Sequence, residues 1–222
     1  MEFLRCKSSA FRLLTLGLVV CMLFGLFGCS SPGSPEAAAA QYLQKKYGSA
    51  FTVKALTRKD NGPFKTASYS GPAYEAGCPL ERFTVWVSSD FGTVYDARYT
   101  LDLLPAINGW VQDRANEIWA DAGTAVVVDA LVYNSAAAYG TEDFKTFYSR
   151  ESVNNTVLLA LEDRDGAAEQ VIRFQDSLGE LMTGYIRVYI TDSRDMAALF
   201  AETPDAEIMI GSPEKVIREK LE

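Results

Sequence analysis

The sequence predicts an α+β protein: an N-terminal helix packed on antiparallel strands, followed by an alternating strand–helix half. Three observations carry that expectation. A capped helix with one apolar face runs straight into alternating strands and a hairpin signal. Near-unbroken apolar runs at 125–133 and 157–161, as expected of strands covered on both faces, occur only in the second half. Helical stretches lie between the strands of that half. With 48% hydrophobic and 12% aromatic residues, the chain has material for a packed core.

Taken in order, Ser34 suits an N-cap, Pro35 the first helical position and Glu36 the positive helix start. Ala40, Leu43 and Tyr47 share a face, and Gly48 ends the helix. Phe51, Val53 and Ala55 alternate with Thr52 and Lys54 as a half-buried strand. Residues 59–79 contain Gly62-Pro63, Gly71-Pro72 and Cys78-Pro79, which reads as a long loop or a set of tight turns. Phe83, Val85 and Val87 then form a strand, and Asp90-Phe91-Gly92 turns the chain into its hairpin partner at 93–99. Leu104, Ile107, Val111, Ala115, Ile118 and Trp119 make one helical stripe that stops near Gly123. In the second half Ile186, Val188 and Ile190 add a strand, with helices near 142–149, 167–182, 194–202 and 213–221. The expected organisation is a leader at 1–28, a linker at 29–34, and subdomains at 35–123 and 124–222.

The N-terminus has the grammar of a secretory leader. Arg5, Lys7 and Arg12 precede an apolar run from Leu13 to Phe27, which is short of the ~20 residues that span a bilayer. Leu26-Phe27-Gly28-Cys29 resembles the lipobox of bacterial lipoproteins. That resemblance implies cleavage between Gly28 and Cys29, lipidation of the Cys29 thiol, and palmitate among the attached chains. It implies an address at the outer face of the bacterial cytoplasmic membrane, with the membrane as partner through the anchor. Residues 39–53, with Tyr42-Leu43, Lys46-Tyr47-Gly48 and Phe51-Thr52-Val53, resemble the start of small lipoproteins of Gram-positive bacteria, a likeness that implies no functional residue.

Charge is unevenly placed. The whole chain carries −8, and residues 1–28 carry Arg5, Lys7 and Arg12 against Glu2, so the mature chain carries −10. An acidic balance argues against nucleic acid as a partner. Residues 35–70 nevertheless hold Lys45, Lys46, Lys54, Arg58, Lys59 and Lys65 against Glu36 and Asp60. Lys45, Lys46, Lys54, Arg58 and Lys59 are therefore expected to face the membrane beside the anchor.

The chain has no histidine. That removes Ser-His-Asp and Cys-His hydrolases, histidine-ligated metals and histidine acid–base chemistry. The cysteines are Cys6, Cys21, Cys29 and Cys78. The first two leave with the leader and Cys29 carries lipid, so Cys78 is expected as a single thiol in a turn, with no intrachain disulfide. No metal site, cofactor or catalytic set is expected.

The remaining motifs each have a plain reading. Asp129 interrupts an apolar strand and marks a strand exit, a carboxylate paired with an arginine, or a site carboxylate with a raised pKa. Asp113 and Glu117, one turn apart, read as a solvated helix face. Asp163-Arg164-Asp165-Gly166 fails the calcium-loop spacing, because Leu161 and Ile172 fall at the first and last ligand positions. Asp90-Phe91-Gly92 lacks every other kinase signature. Tyr69, Tyr74, Trp86, Tyr95 and Tyr99 make the hairpin region aromatic, as core filling or as a recognition patch. Two functions follow: a non-enzymatic, surface-anchored binding or envelope-accessory domain, or a carboxylate-based extracytoplasmic enzyme using Asp129. An enzyme would show a pocket with carboxylates converging on Asp129; a binding domain would show exposed aromatics near the hairpin.

Overall fold

A computed structural model describes residues 33–60, 67–129, 143–150, 153–162 and 166–210. The fold is α+β, built on two sheets. The first contains β1 (Phe51–Val53), β2 (Thr57–Lys59), β3 (Ser68–Glu75), β4 (Arg82–Ser88) and β5 (Val94–Asp96). Its order is β1-β3-β4-β5, with β2 also on β3, and every pairing is antiparallel. The second runs β6 (Gly123–Asp129), β7 (Asn154–Leu161), β8 (Thr183–Ile190) and β9 (Ala206–Met209). Its β7–β8 pair is parallel and the other two are antiparallel.

Helix α1 (Pro35–Tyr47) starts as its sequence dictates: Ser34 Oγ accepts from Ala37 N at 3.2 Å, and Pro35 needs no donor there. Gly48, at φ 77°, closes it in the left-handed conformation. Ala38, Ala39 and Leu43 are buried against Ala73, Phe83, Val85 and Val87 of the first sheet. The ring of Phe51 meets Phe83 edge-on at 5.8 Å.

Residues 68–75, expected as loop, are the longest strand of the first sheet. The Gly71-Pro72 pair that suggests a break is a device within it. β2 pairs with residues 68–70 and β1 with 73–75, so Pro72 sits where no neighbour needs its missing N–H. Its carbonyl still accepts from Lys54 N at 3.0 Å. A Cβ on Gly71 would lie 3.0 Å from Leu56 Cδ2 and 3.3 Å from the Ala55 carbonyl, so glycine lets the β1–β2 link cross closely.

Helix α2 (Thr100–Asn116) carries the expected stripe, with Leu103, Leu104, Ile107, Val111 and Ala115 buried. It packs mainly with the second sheet: these residues share a core with Val126, Val128, Val157, Leu159, Ile186 and Val188, and only Leu101 also reaches the core of the first. The cores thus divide near Ala97, ahead of this helix. α3 (Phe144–Arg150) and α4 (Ala167–Gly179) cover the same face, and α4 links the parallel strands β7 and β8. The opposite face of β6–β8 buries Ala125, Leu158, Ala160 and Tyr189 under Leu199 of α5 (Met196–Ala201). Coverage of both faces explains the continuous apolar runs. Strand β9, too short to stand out in the sequence, closes the sheet edge. The expected helix at 213–221 lies outside the described residues. Among the described residues, no helix is long and apolar enough to cross a membrane.

Candidate functional site

A cleft of about 650 Å³ opens where the turn after β3 meets α2, β6 and α5. Leu80, Leu101, Leu104, Pro105, Ala125 and Ala197 give it apolar surface, while Glu75, Glu81, Asp102 and Arg98 supply its charge. Each wall has a local cause. The turn is shaped by Gly77 at φ 90°, and Cys78 N and Glu81 N donate to Glu75 and Cys78 carbonyls at 2.9 and 3.0 Å. Pro105 sits inside α2 and cannot donate to Leu101, which leaves that carbonyl without its helical N–H partner beside the cleft. On β6, the edge strand, Asn108 Oδ1 accepts from Val126 N at 2.8 Å. A helix side chain thereby satisfies an edge amide that would otherwise invite pairing.

Arg98 is positioned from both ends. Its amide donates to Asp96 Oδ1 at 3.1 Å, and its guanidinium lies 4.6 Å from the centroid of the Tyr47 ring. Asp96 is the centre of a polar cluster that ties α1 to β5. It accepts from Lys46 Nζ at 2.7 Å, Tyr47 Oη at 2.6 Å and Tyr42 Oη at 3.0 Å. Burial acts to raise the Asp96 pKa, but the bonds from Lys46, Tyr47 and the Arg98 amide outweigh it and hold the carboxyl below its usual range.

Asp129 stands elsewhere. It is exposed at the end of β6 and its Oδ1 accepts from Thr84 Oγ1 at 3.0 Å, a bond joining the two sheets. It does not line the cleft, so the strand-exit reading is the one the geometry supports. Asp113 and Glu117 are exposed, and Glu117 pairs with Arg114 at 3.1 Å, a solvated face as expected. Asp90 caps the β4–β5 turn by accepting from Gly92 N at 3.1 Å and from the Ser88 hydroxyl. Among the described residues no group of histidine, cysteine or carboxylate side chains is placed to hold a metal. Residues 163–165 lie outside the described residues.

The aromatic residues divide between two roles. Tyr69 packs with Phe91 on the α1 side of the first sheet, and Tyr99 is buried against Phe147. Trp86 and Tyr95 pair at 5.3 Å on the opposite side of the first sheet, and Tyr95 is 45% exposed. Exposed aromatic surface near the hairpin is therefore present.

The expectation of a single thiol at Cys78 is corrected. Cys78 is buried and disulfide-bonded. The other cysteines, at 6, 21 and 29, lie outside the described residues, as do Gly28 and the proposed lipidation site Cys29.

The five basic residues expected to face the membrane do not share one face. Lys45 is exposed on α1, and Lys46 is bound to Asp96 at the β5 edge. The β2–β3 register puts Arg58 on the α1 side with Tyr69 and Lys59 on the other with Ser68. Lys54 lies over the Tyr74 ring at 5.7 Å, and Arg58 pairs with Asp60 at 3.1 Å.

No protein-family model matches the sequence, and no curated protein matches it. Among solved structures, the chain is similar to a DUF5037 family protein from Ruminococcus gnavus ATCC 29149. The identity is 11%, the TM-score 0.40, and the match covers 85% of this chain and 86% of that one.

Proposed function

We propose that the chain is a lipid-anchored, extracytoplasmic binding domain: Cys29 carries the lipid and the cleft beside the 75–81 turn holds the ligand. One observation carries the binding half of this reading. The cleft sets three carboxylates, Glu75, Glu81 and Asp102, around an apolar surface, while its guanidinium, Arg98, is already held over the Tyr47 ring. Such a lining suits a ligand with a cationic group beside an apolar one, for example a basic peptide segment. The alternative, a carboxylate-based enzyme, would have to use these three acids and not Asp129.

A titration with tri-lysine and, separately, tri-glutamate tests the cleft. Backbone amide NMR signals of Leu101, Asp102 and Ala197 should shift saturably with tri-lysine and stay still with tri-glutamate. Asp102→Lys should weaken the response. Equal responses to the two peptides, or none, would contradict the proposed ligand chemistry.

A further inference from the structure

We propose that Arg82 and Arg187, which converge on Phe200 at the seam between the two sheets, form a binding site for an oxyanion of the carboxylate or phosphate class. The site is separate from the cleft and does not depend on the reading given there.

Arg82 opens β4 and projects from the same side of the first sheet as Thr84, which reaches across to Asp129 of β6. Arg187 comes from β8 of the second sheet, and Phe200 from α5. The guanidinium carbons of Arg82 and Arg187 lie 5.2 and 5.9 Å from the centroid of the Phe200 ring. Two cations thus gather at one ring, in a chain whose net charge is −8.

Their counter-charges are incomplete. Among the described residues, no ion pair or hydrogen bond reaches the Arg82 guanidinium. Asp129 is near enough to favour its charge, yet Thr84 holds that carboxylate and no ion pair forms. Burial of Arg82 opposes its charge, and Arg187 opposes it further. Arg187 bonds Glu207 through Nε at 2.8 Å, a single contact that leaves the far end of its fork for another acceptor. Beside it, Tyr189 is 2% exposed, and its buried hydroxyl oxygen lies against Arg187 without a well-formed hydrogen bond among the described residues.

A half-buried guanidinium without an acceptor is an expensive arrangement unless an anion completes it. The groups present are the ones an oxyanion needs: two forks that bind planar or tetrahedral oxygens, and a hydroxyl donor. Because the arginines belong to different sheets, an occupant would also tie the two sheets together.

Arginine Nε–Hε signals of the purified full chain decide the matter. The protein is titrated with inorganic phosphate and, in a second arm, with citrate, at ionic strength held constant with sodium chloride. Saturable shifts of Arg82 and Arg187 with at least one anion are expected, and the arm that saturates identifies the class. Arg82→Met and Arg187→Met should each weaken binding about ten-fold or more, while Tyr189→Phe should weaken it less. If one variant does not fold, the other provides the same reading. No saturation with either anion up to about 10 mM, or unchanged affinity in a folded Arg→Met variant, overturns the site.

Discussion

Lys46 Nζ and Asp96 Oδ2 lie 2.7 Å apart, with the Asp96 side chain 2% exposed and that of Lys46 38% exposed. The contact fastens the end of α1 to the far edge of the first sheet. The two partners differ in what their removal would leave behind, because only the lysine can return to water.

Asp96→Ala lets Lys46 return to water but leaves two part-buried tyrosine hydroxyls without their acceptor, and is expected to cost about 2 kcal/mol. Lys46→Met strands the buried Asp96 carboxylate without its counter-charge, held only by the tyrosine and amide donors, and should cost about 3 kcal/mol. Urea denaturation of both variants measures the difference.

The same cluster sets an acid limb. Asp96 is held below its ordinary value in the fold, so its contribution is complete above about pH 4 and is lost as the pH falls through the folded-state value. Lys46 moves the other way. Burial opposes its charge, but the bonds from Asp96 and the tyrosines raise its pKa above 10.5, so this contribution fails only in strong alkali. Tyr47, pushed up to about 12 chiefly by burial, stays a donor over the same range. Denaturation midpoints between pH 2 and 5 should fall steeply in the wild type and less steeply in Asp96→Asn.

Gly71→Val should destabilise the protein by about 1–3 kcal/mol, because the new side chain meets the Ala55–Leu56 backbone as well as the movable Leu56 tip. Gly184→Ala should be worse. Gly184 has φ 126°, and its Cβ would fall 2.0 Å from the Asn155 carbonyl oxygen of the neighbouring parallel strand. A cost above about 4 kcal/mol, or loss of soluble protein, is expected.

The distribution of basic residues predicts weak lipid recognition by the folded domain itself. With Arg58 and Lys59 on opposite sides of β2 and Lys46 consumed by Asp96, no single basic face is presented among the described residues. A soluble form lacking Cys29 should partition almost equally onto anionic and neutral vesicles at low salt. Strong preference for anionic vesicles, abolished by Lys45→Glu with Lys59→Glu, would restore the oriented arrangement that charge along the sequence suggests.

Local chemistry made part of this architecture legible. Ser34, Pro35 and Gly48 bounded α1, Asp90-Phe91-Gly92 marked the hairpin, and the Leu104-to-Trp119 stripe marked α2. Strand β3 was hidden because Gly71-Pro72 signals a break whenever its neighbours are unknown. The sheet that α2 covers was illegible too, since an apolar stripe states that a partner exists without naming it. The cleft and the arginine seam draw residues from separate elements: Glu75, Asp102 and Ala197 in one, Arg82, Arg187 and Phe200 in the other. Only the fold brings them together. Asp129 stood out in sequence because its neighbours are apolar, yet the strand simply ends there beside Thr84.

The anchor is the central claim, and the sulfur of Cys29 tests it. Once residues 1–28 are removed, Cys29 is the only intrachain cysteine left to pair with Cys78. A sulfur joined to diacylglycerol cannot also form a disulfide, so the bridge that Cys78 makes in the full chain would be absent from the lipidated mature protein, and lipid and a Cys29–Cys78 bridge are alternative fates. Wild-type and Cys29→Ala chains are expressed with labelled palmitate, and the N-terminal peptide of the membrane fraction is weighed. Label in the wild type, its absence from the variant, and a lipid-modified Cys29 peptide not linked to Cys78 are predicted. A Cys29–Cys78 cross-linked peptide without lipid, or label retained by the variant, would contradict the account.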